Sequence, residues 1–105
     1  MAEERSRVGS IDFARINAAA LARLPDLLVR WLPDGRRSGY EWVAKNPTRA
    51  DRHAGSFSVN MHSGRWSDFA TGDKGGDIVS LLAYLSGESQ ASAARALARA
   101  LGIEP

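Results

Sequence analysis

Residues 56–85 read SFSVNMHSGRWSDFATGDKGGDIVSLLAYL, and the pattern within them decides the fold. Phe57, Val59 and Met61 alternate with Ser56, Ser58 and Asn60, the period of a strand with one buried face. His62-Ser63-Gly64-Arg65 is turn chemistry, because Gly64 can take the positive φ that a tight hairpin demands. Residues 65–69 return as a second strand. Thr71-Gly72-Asp73-Lys74-Gly75-Gly76 then breaks regular structure, and Asp77 opens an apolar helix. Its inner stripe is Ile78, Leu81, Leu82 and Leu85, with Val79 on the margin.

Working outward, residues 39–45 (GYEWVAK) form a third strand with Tyr40 and Trp42 on one face, and residues 46–55 (NPTRADRHAG) form a polar loop. Ser10 caps a helix beginning at Ile11 in which Ile11, Ala14, Ala18 and Leu21 recur at helical spacing, with Phe13 and Ile16 beside them. Pro25 starts a second helix over 26–31, since proline suits a helix's first turn and not its interior, and Pro33-Asp34-Gly35 ends it. Gly87 stops the helix after the corner. Ser89 caps a last one that buries Ala93, Ala96, Leu97, Ala100 and Leu101, shows Arg95 and Arg99 to solvent and stops at Gly102. The expected class is α+β: a three-stranded antiparallel sheet with N-terminal helices and two C-terminal helices. Residues 1–10 are a flexible tail on this reading, and 11–105 one domain, with a helical part at 11–32, a sheet at 39–69 and C-terminal helices at 76–102.

A chain of 105 residues with 44% hydrophobic content suits one globular core. The absence of cysteine excludes disulfides, thiolate nucleophiles and cysteine-ligated zinc together. No apolar run is long enough to span a bilayer and the N-terminus is polar, so a cytoplasmic location is expected. Net charge is +2, but from Arg30 to Lys74 eight Lys/Arg face five acids. That balance permits a phosphate-facing patch without requiring one.

No serine has histidine and acid neighbours that suggest activation, so the serines read as caps and surface groups. Asp68, Asp73 and Asp77 could hold magnesium, yet a solvated loop and a helix N-terminus account for them more simply. His53 and His62 lie in polar loops and read as surface histidines. TGDKGGD lacks P-loop spacing, although Lys74 and the first N–H groups of the following helix could hold one phosphate. The best positive signal is aromatic. Tyr40, Trp42 and Trp66 lie among Arg36, Arg37, Lys45 and Arg65, a combination that suits single-stranded nucleic acid, where bases stack and cations track phosphates. Phe57 and Phe69 are assigned to the core, while Trp42 and Trp66 stay divided between core and binding face.

From Gly39 to Ile103 the order of features resembles the N-terminal zinc-ribbon domain of bacterial replicative, toprim-type primases. That domain carries Cys-Pro-x-His, a Pro-Ser-Phe strand, Tyr-x-Cys-Phe-x-Cys-Gly, a Gly-Gly-Asp helix and a last helix ending in Leu-Gly-Ile. Asn46-Pro47, Gly55-Ser56-Phe57 and Trp66-Ser67-Asp68-Phe69-Ala70-Thr71-Gly72 stand at the first three, while Gly75-Gly76-Asp77 and Leu101-Gly102-Ile103 match outright.

The cysteine positions hold Asn46, Asp68 and Thr71, and the histidine position falls at Arg49, Asp51 or His53. The resemblance therefore implies a zinc-ribbon-like fold without metal or cofactor. A polar substitute would fasten the corner: Asp68 paired with Arg49 or Arg52, with hydrogen bonds from Asn46 and Thr71. It further implies a non-catalytic domain that binds single-stranded template DNA through Tyr40, Lys45, Arg65, Trp66 and Lys74. Such a domain would serve a primase-like replication protein of a phage, plasmid or integrated element, beside a catalytic domain or subunit. The competing expectation is a module that docks a helicase, polymerase or primase subunit without touching DNA, and a magnesium enzyme ranks last.

Overall fold

The hairpin forms as its alternation requires. In the computed structural model, which describes residues 10–50 and 55–105, β3 (Phe57–Asn60) and β4 (Trp66–Asp68) pair antiparallel, with Phe57 opposite Asp68 and Val59 opposite Trp66. Asn60 shapes the connection: its Oδ1 accepts from the backbone N–H groups of His62 (2.8 Å) and Ser63 (2.9 Å), and its carbonyl accepts from Gly64 N (2.7 Å). Gly64 has φ +82°, and its buried position leaves only 3.3 Å between an added Cβ and Ile78 Cγ1.

The sheet has five strands, not three. On one side of the hairpin lie β1 (Arg36–Ser38) and β2 (Glu41–Ala44), and on the other β5 (Lys74–Gly75); all neighbours are antiparallel, in the order β1-β2-β3-β4-β5. The two extra strands are the edges. β1 is Arg-Arg-Ser, exposed throughout, and β5 spans two residues of the glycine corner. Edge strands need no buried face and favour polar residues, so neither shows the alternation by which strands are recognised.

Register divides the side chains cleanly. Trp42, Ala44, Phe57, Val59, Trp66 and Asp68 point to the helices, while Glu41, Val43, Ser58, Asn60 and Ser67 point the other way. Above the first face stand α1 (Phe13–Leu21), α2 (Leu24–Trp31), α3 (Ile78–Ser86) and α4 (Gln90–Leu101). Ile16, Leu24, Leu28, Leu32, Phe57, Val59, Ile78, Leu81 and Leu97 join in one continuous buried cluster.

Helix ends and faces depart from expectation in detail. Asp12, not Ser10, caps α1, its carboxylate accepting from Arg15 N at 3.0 Å. The buried positions of α1 are Ile16 and Ala20 rather than Ala14 and Ala18, which are exposed, and Phe13 is exposed as well. Val79 is fully buried in α3. In α4 the buried face is Ala93, Ala94, Leu97 and Ala98, turned away from Ala96 and Ala100, because this helix packs against both α1 and α3. An alanine-rich helix offers small residues on every side, so its sequence marks the inner face weakly. α3 and α4 end at Gly87 and Gly102, as expected.

Of the tail expected at residues 1–10, only Ser10 lies within the described residues. No helix among the described residues is long and apolar enough to cross a membrane.

Candidate functional site

Two places concentrate polar side chains: a buried cluster under the glycine corner and the outer face of the sheet. The first gathers Asn46, Arg49 and Asp68, three of the residues singled out in the sequence. Asp68 is completely buried at the end of β4. Arg49 meets it with two contacts, Nε to Oδ2 at 2.9 Å and Nη2 to Oδ1 at 3.3 Å. Asn46 Nδ2 donates to Oδ2 (2.8 Å) and Ala70 N to Oδ1 (2.8 Å). The Arg49 guanidinium is the principal reason that the Asp68 carboxyl is held well below the usual carboxylate range. Asn46 and the Ala70 amide act in the same sense, against the opposing effect of burial.

The cluster extends past Asp68. Arg49 Nη2 also donates to Ser56 Oγ at 3.0 Å, tying the loop after β2 to the start of β3. Asn46 Oδ1 accepts from Thr48 N (2.9 Å) and Thr48 Oγ1 (2.7 Å). Its Nδ2 donates to Tyr84 Oη at 2.8 Å, and that hydroxyl in turn donates to Asp73 Oδ2 at 2.7 Å. Tyr84 thus links loop, corner and α3. Its ring lies 4.6 Å from that of Trp66 and stacks on Phe57 at 6.1 Å. Among the described residues no buried side-chain nitrogen or oxygen lacks a partner.

The expected polar fastening is present in its main pair, Asp68–Arg49, and in Asn46. Thr71 does not join it: its hydroxyl accepts from Asp73 N (3.2 Å) within the corner. Thr48 and Tyr84 take that part instead. The alternatives Asp51, Arg52 and His53 lie outside the described residues. Among the described residues the donor set does not fit zinc. A zinc site needs several deprotonated or neutral ligands converging on one point, whereas here a guanidinium cation and an amide N–H group occupy the carboxylate's oxygens.

The corner also differs from a phosphate cradle. The first N–H groups of α3 are already used: Asn17 Oδ1, from α1, accepts from Ile78 N (3.1 Å) and Val79 N (2.9 Å), and Asp77 Oδ1 accepts from Ser80 N (2.8 Å). No donor of that turn remains for a ligand's phosphate. Asn17 is a long-range cap, invisible to any local pattern. Replacing it with alanine strands two partly buried N–H groups and should lower stability by about 2 kcal/mol; urea unfolding of Asn17→Ala against the parent chain measures this.

The second place is the outer face of the sheet. There Glu41, Ser58, Asn60, Arg65, Ser67 and Lys74 line a shallow trough of about 790 Å³. Every residue lining it belongs to the sheet, the hairpin or the corner, so no helix among the described residues covers it. Arg65 and Lys74 are exposed within it. Phe69, one residue past β4, opens onto one end with 78% of its surface exposed. Its backbone is fixed by Phe69 N to Ser56 O at 2.9 Å.

The sequence-based candidates divide accordingly. Arg65 and Lys74 share the trough. Lys45 is exposed just beyond β2, and Tyr40, 72% exposed in the turn before β2, stands at the hairpin end with its ring 5.5 Å from that of His62. Trp66 does not belong to an open face. It is 5% exposed, its ring packs between sheet and α3, and its Nε1 donates to Ser80 Oγ at 3.0 Å. Gly75 opposite it must be glycine, because a Cβ would lie 2.5 Å from both the indole nitrogen and Ser80 Oγ. Trp42 likewise faces inward, its Nε1 donating to Leu32 O at 3.1 Å. Phe69, assigned to the core from sequence, is the exposed aromatic in Trp66's stead.

No family model matches the chain, and no curated protein does.

Proposed function

We propose that the chain is a non-catalytic single-stranded DNA-binding domain that uses the outer face of its sheet. The observation that carries this reading is an uncovered strand face bearing Arg65 and Lys74 beside the exposed Phe69. Cations spaced along a trough can follow a phosphate chain, and an exposed ring supplies a base with a stacking partner that is indifferent to sequence. Tyr40 and Lys45 extend the path at its two ends. The order of sequence features shared with the primase zinc-ribbon domain, from Asn46-Pro47 to Leu101-Gly102-Ile103, suggests the setting. In that setting the domain holds template for a primase-like replication protein of a mobile element. A separate catalytic domain or subunit would perform synthesis, in the cytoplasm. The corner retains its place in that scheme, with the Asp68–Arg49 cluster as its fastening.

Fluorescence anisotropy with a labelled oligothymidine tests the proposal. Binding should be salt-dependent, and Arg65→Ala and Lys74→Ala should each reduce the log–log salt slope by about 0.7. Phe69→Ala should weaken binding by about 1–3 kcal/mol, the worth of one stacked base. An absence of binding at low salt, or equal binding by all variants, overturns the reading.

The alternative, a docking module for a helicase or polymerase, draws on Phe13 (39% exposed) and Val29 (55%), single apolar side chains on different helices. The uncovered sheet face favours nucleic acid over that alternative.

A further inference from the structure

The trough also contains a carboxylate, an unexpected group on a surface for a polyanion. Glu41 lies opposite Asn60 across β2 and β3, and Asn60 N donates to Arg65 O, so the three residues form one row across the sheet. Glu41 and Arg65 are two strand spacings apart, about 10 Å. The Asn60 side chain is pinned in one orientation. Its Oδ1 accepts two backbone N–H groups of the turn, and its Nδ2 donates to Glu41 Oε2 at 2.8 Å. A flip of this amide would forfeit all three bonds. Glu41 is therefore held by a fixed partner, half-buried on the trough wall, and its Oε1 has no donor among the described residues.

Resting on the nucleic-acid reading, we infer that Glu41 with Asn60 reads the Watson–Crick edge of a guanine. One Asn60 Nδ2–H is spent on Glu41 Oε2, so the pair offers, in order, the second Asn60 Nδ2–H donor, the Glu41 Oε2 acceptor and the Glu41 Oε1 acceptor. Guanine offers the complement in the same order: the O6 acceptor, then the N1–H and N2–H donors. The other bases fit worse. Thymine's N3–H lies between two carbonyl oxygens that a carboxylate repels. Cytosine and adenine each place a ring-nitrogen acceptor beside their amino donor, so only one acceptor of the pair is satisfied. A carboxylate that costs affinity for every other base, through repulsion and desolvation, creates selectivity by penalty as much as by attraction. Arg65, at the far end of the row, holds the backbone while Glu41 meets the base, a division of labour between positioning and reading.

The test compares an oligothymidine with the same strand carrying one central guanine, in competition by anisotropy, for the parent chain and Glu41→Gln. The parent should prefer the guanine strand by about fivefold or more. Glu41→Gln should lose that preference and bind plain oligothymidine more tightly than the parent does, because a negative charge has left the trough. Equal binding of both strands by the parent, or a preference retained in Glu41→Gln, overturns the Glu41 assignment and leaves the DNA-binding reading standing. Binding to neither strand overturns both. Thermal unfolding of Glu41→Gln at the parent temperature shows that any loss of preference is not a loss of fold.

Discussion

Asp68→Ala is expected to remove about 3–5 kcal/mol of stability, the cost of breaking a buried, hydrogen-bonded ion pair from one side. A domain of this size has roughly 5–15 kcal/mol in total, so the loss is a large fraction of its stability and should lower the urea midpoint markedly. The reason is cumulative. Asp68 accepts from Arg49 through two nitrogens, from Asn46 and from Ala70 N. Alanine removes the shared acceptor of all of these donors at once, although Asn46 Nδ2 keeps Tyr84 Oη and Arg49 Nη2 keeps Ser56 Oγ. Arg49→Met should cost at least as much, because it leaves the fully buried Asp68 carboxylate without its counter-charge, whereas Asp68→Ala leaves Arg49, which is 31% exposed and can be partly solvated. The two changes share a contact, so a double-mutant cycle should return a coupling of about 1–3 kcal/mol. Additive effects would mean that the pair is incidental to the corner.

The same carboxylate sets the acid limit. Its folded-state pKa lies below that of the unfolded chain, chiefly because of Arg49. The folded state therefore binds fewer protons, and stability from this group is complete above the unfolded value of about 3.9. It falls progressively as the pH drops from about 5 through that value toward the lower folded pKa. Urea midpoints measured from neutral pH downward should show a steep acid limb in the parent chain and a shallower one in Asp68→Asn. Equal slopes would locate acid sensitivity elsewhere.

Much of this was legible because the signals are local. The alternation of 56–61 and the helical stripe of 78–85 need no partner to be recognised, and Asp68 and Arg49 carry opposite charges on the two segments that the corner must join. Phe69 lies outside the core for a reason that strand parity contains: Asp68 faces inward, so its successor faces outward. Trp66 shares the parity of Asp68 and belongs inside with it. Other features had no local signature. Asn17 caps a helix 61 residues later in the chain, and Tyr84 looks like one more apolar residue of α3 until its hydroxyl is seen between Asn46 and Asp73. A tyrosine in an apolar stripe does carry one hint, since its hydroxyl needs a partner when covered. The edge strands β1 and β5 carry no alternation, because they are built from polar residues and glycine.

Trp66→Ala separates core from surface most sharply. The indole is 5% exposed, 6.0 Å from the Phe57 ring and 4.6 Å from that of Tyr84. Removing it opens a cavity between sheet and α3 and should cost about 3–5 kcal/mol. The loss should spread, because Tyr84 leans on this ring while its hydroxyl supports Asn46 and Asp73. Trp66→Phe should be milder: it keeps most of the volume and loses the Nε1 bond to Ser80, whose hydroxyl still donates to Asp77 O. Urea midpoints and near-ultraviolet circular dichroism measure these effects. Phe69→Ala is the reverse case. Its ring is solvated, so stability should change by less than about 0.5 kcal/mol, while DNA affinity falls. The parent and both variants, compared under conditions where each is folded, give a two-by-two outcome. Trp66→Ala should bind oligothymidine nearly as the parent does, and Phe69→Ala should not. If instead Trp66→Ala kept its stability and lost binding, the aromatic contact would belong to β4 itself, and the uncovered face with Phe69 would not be the DNA path.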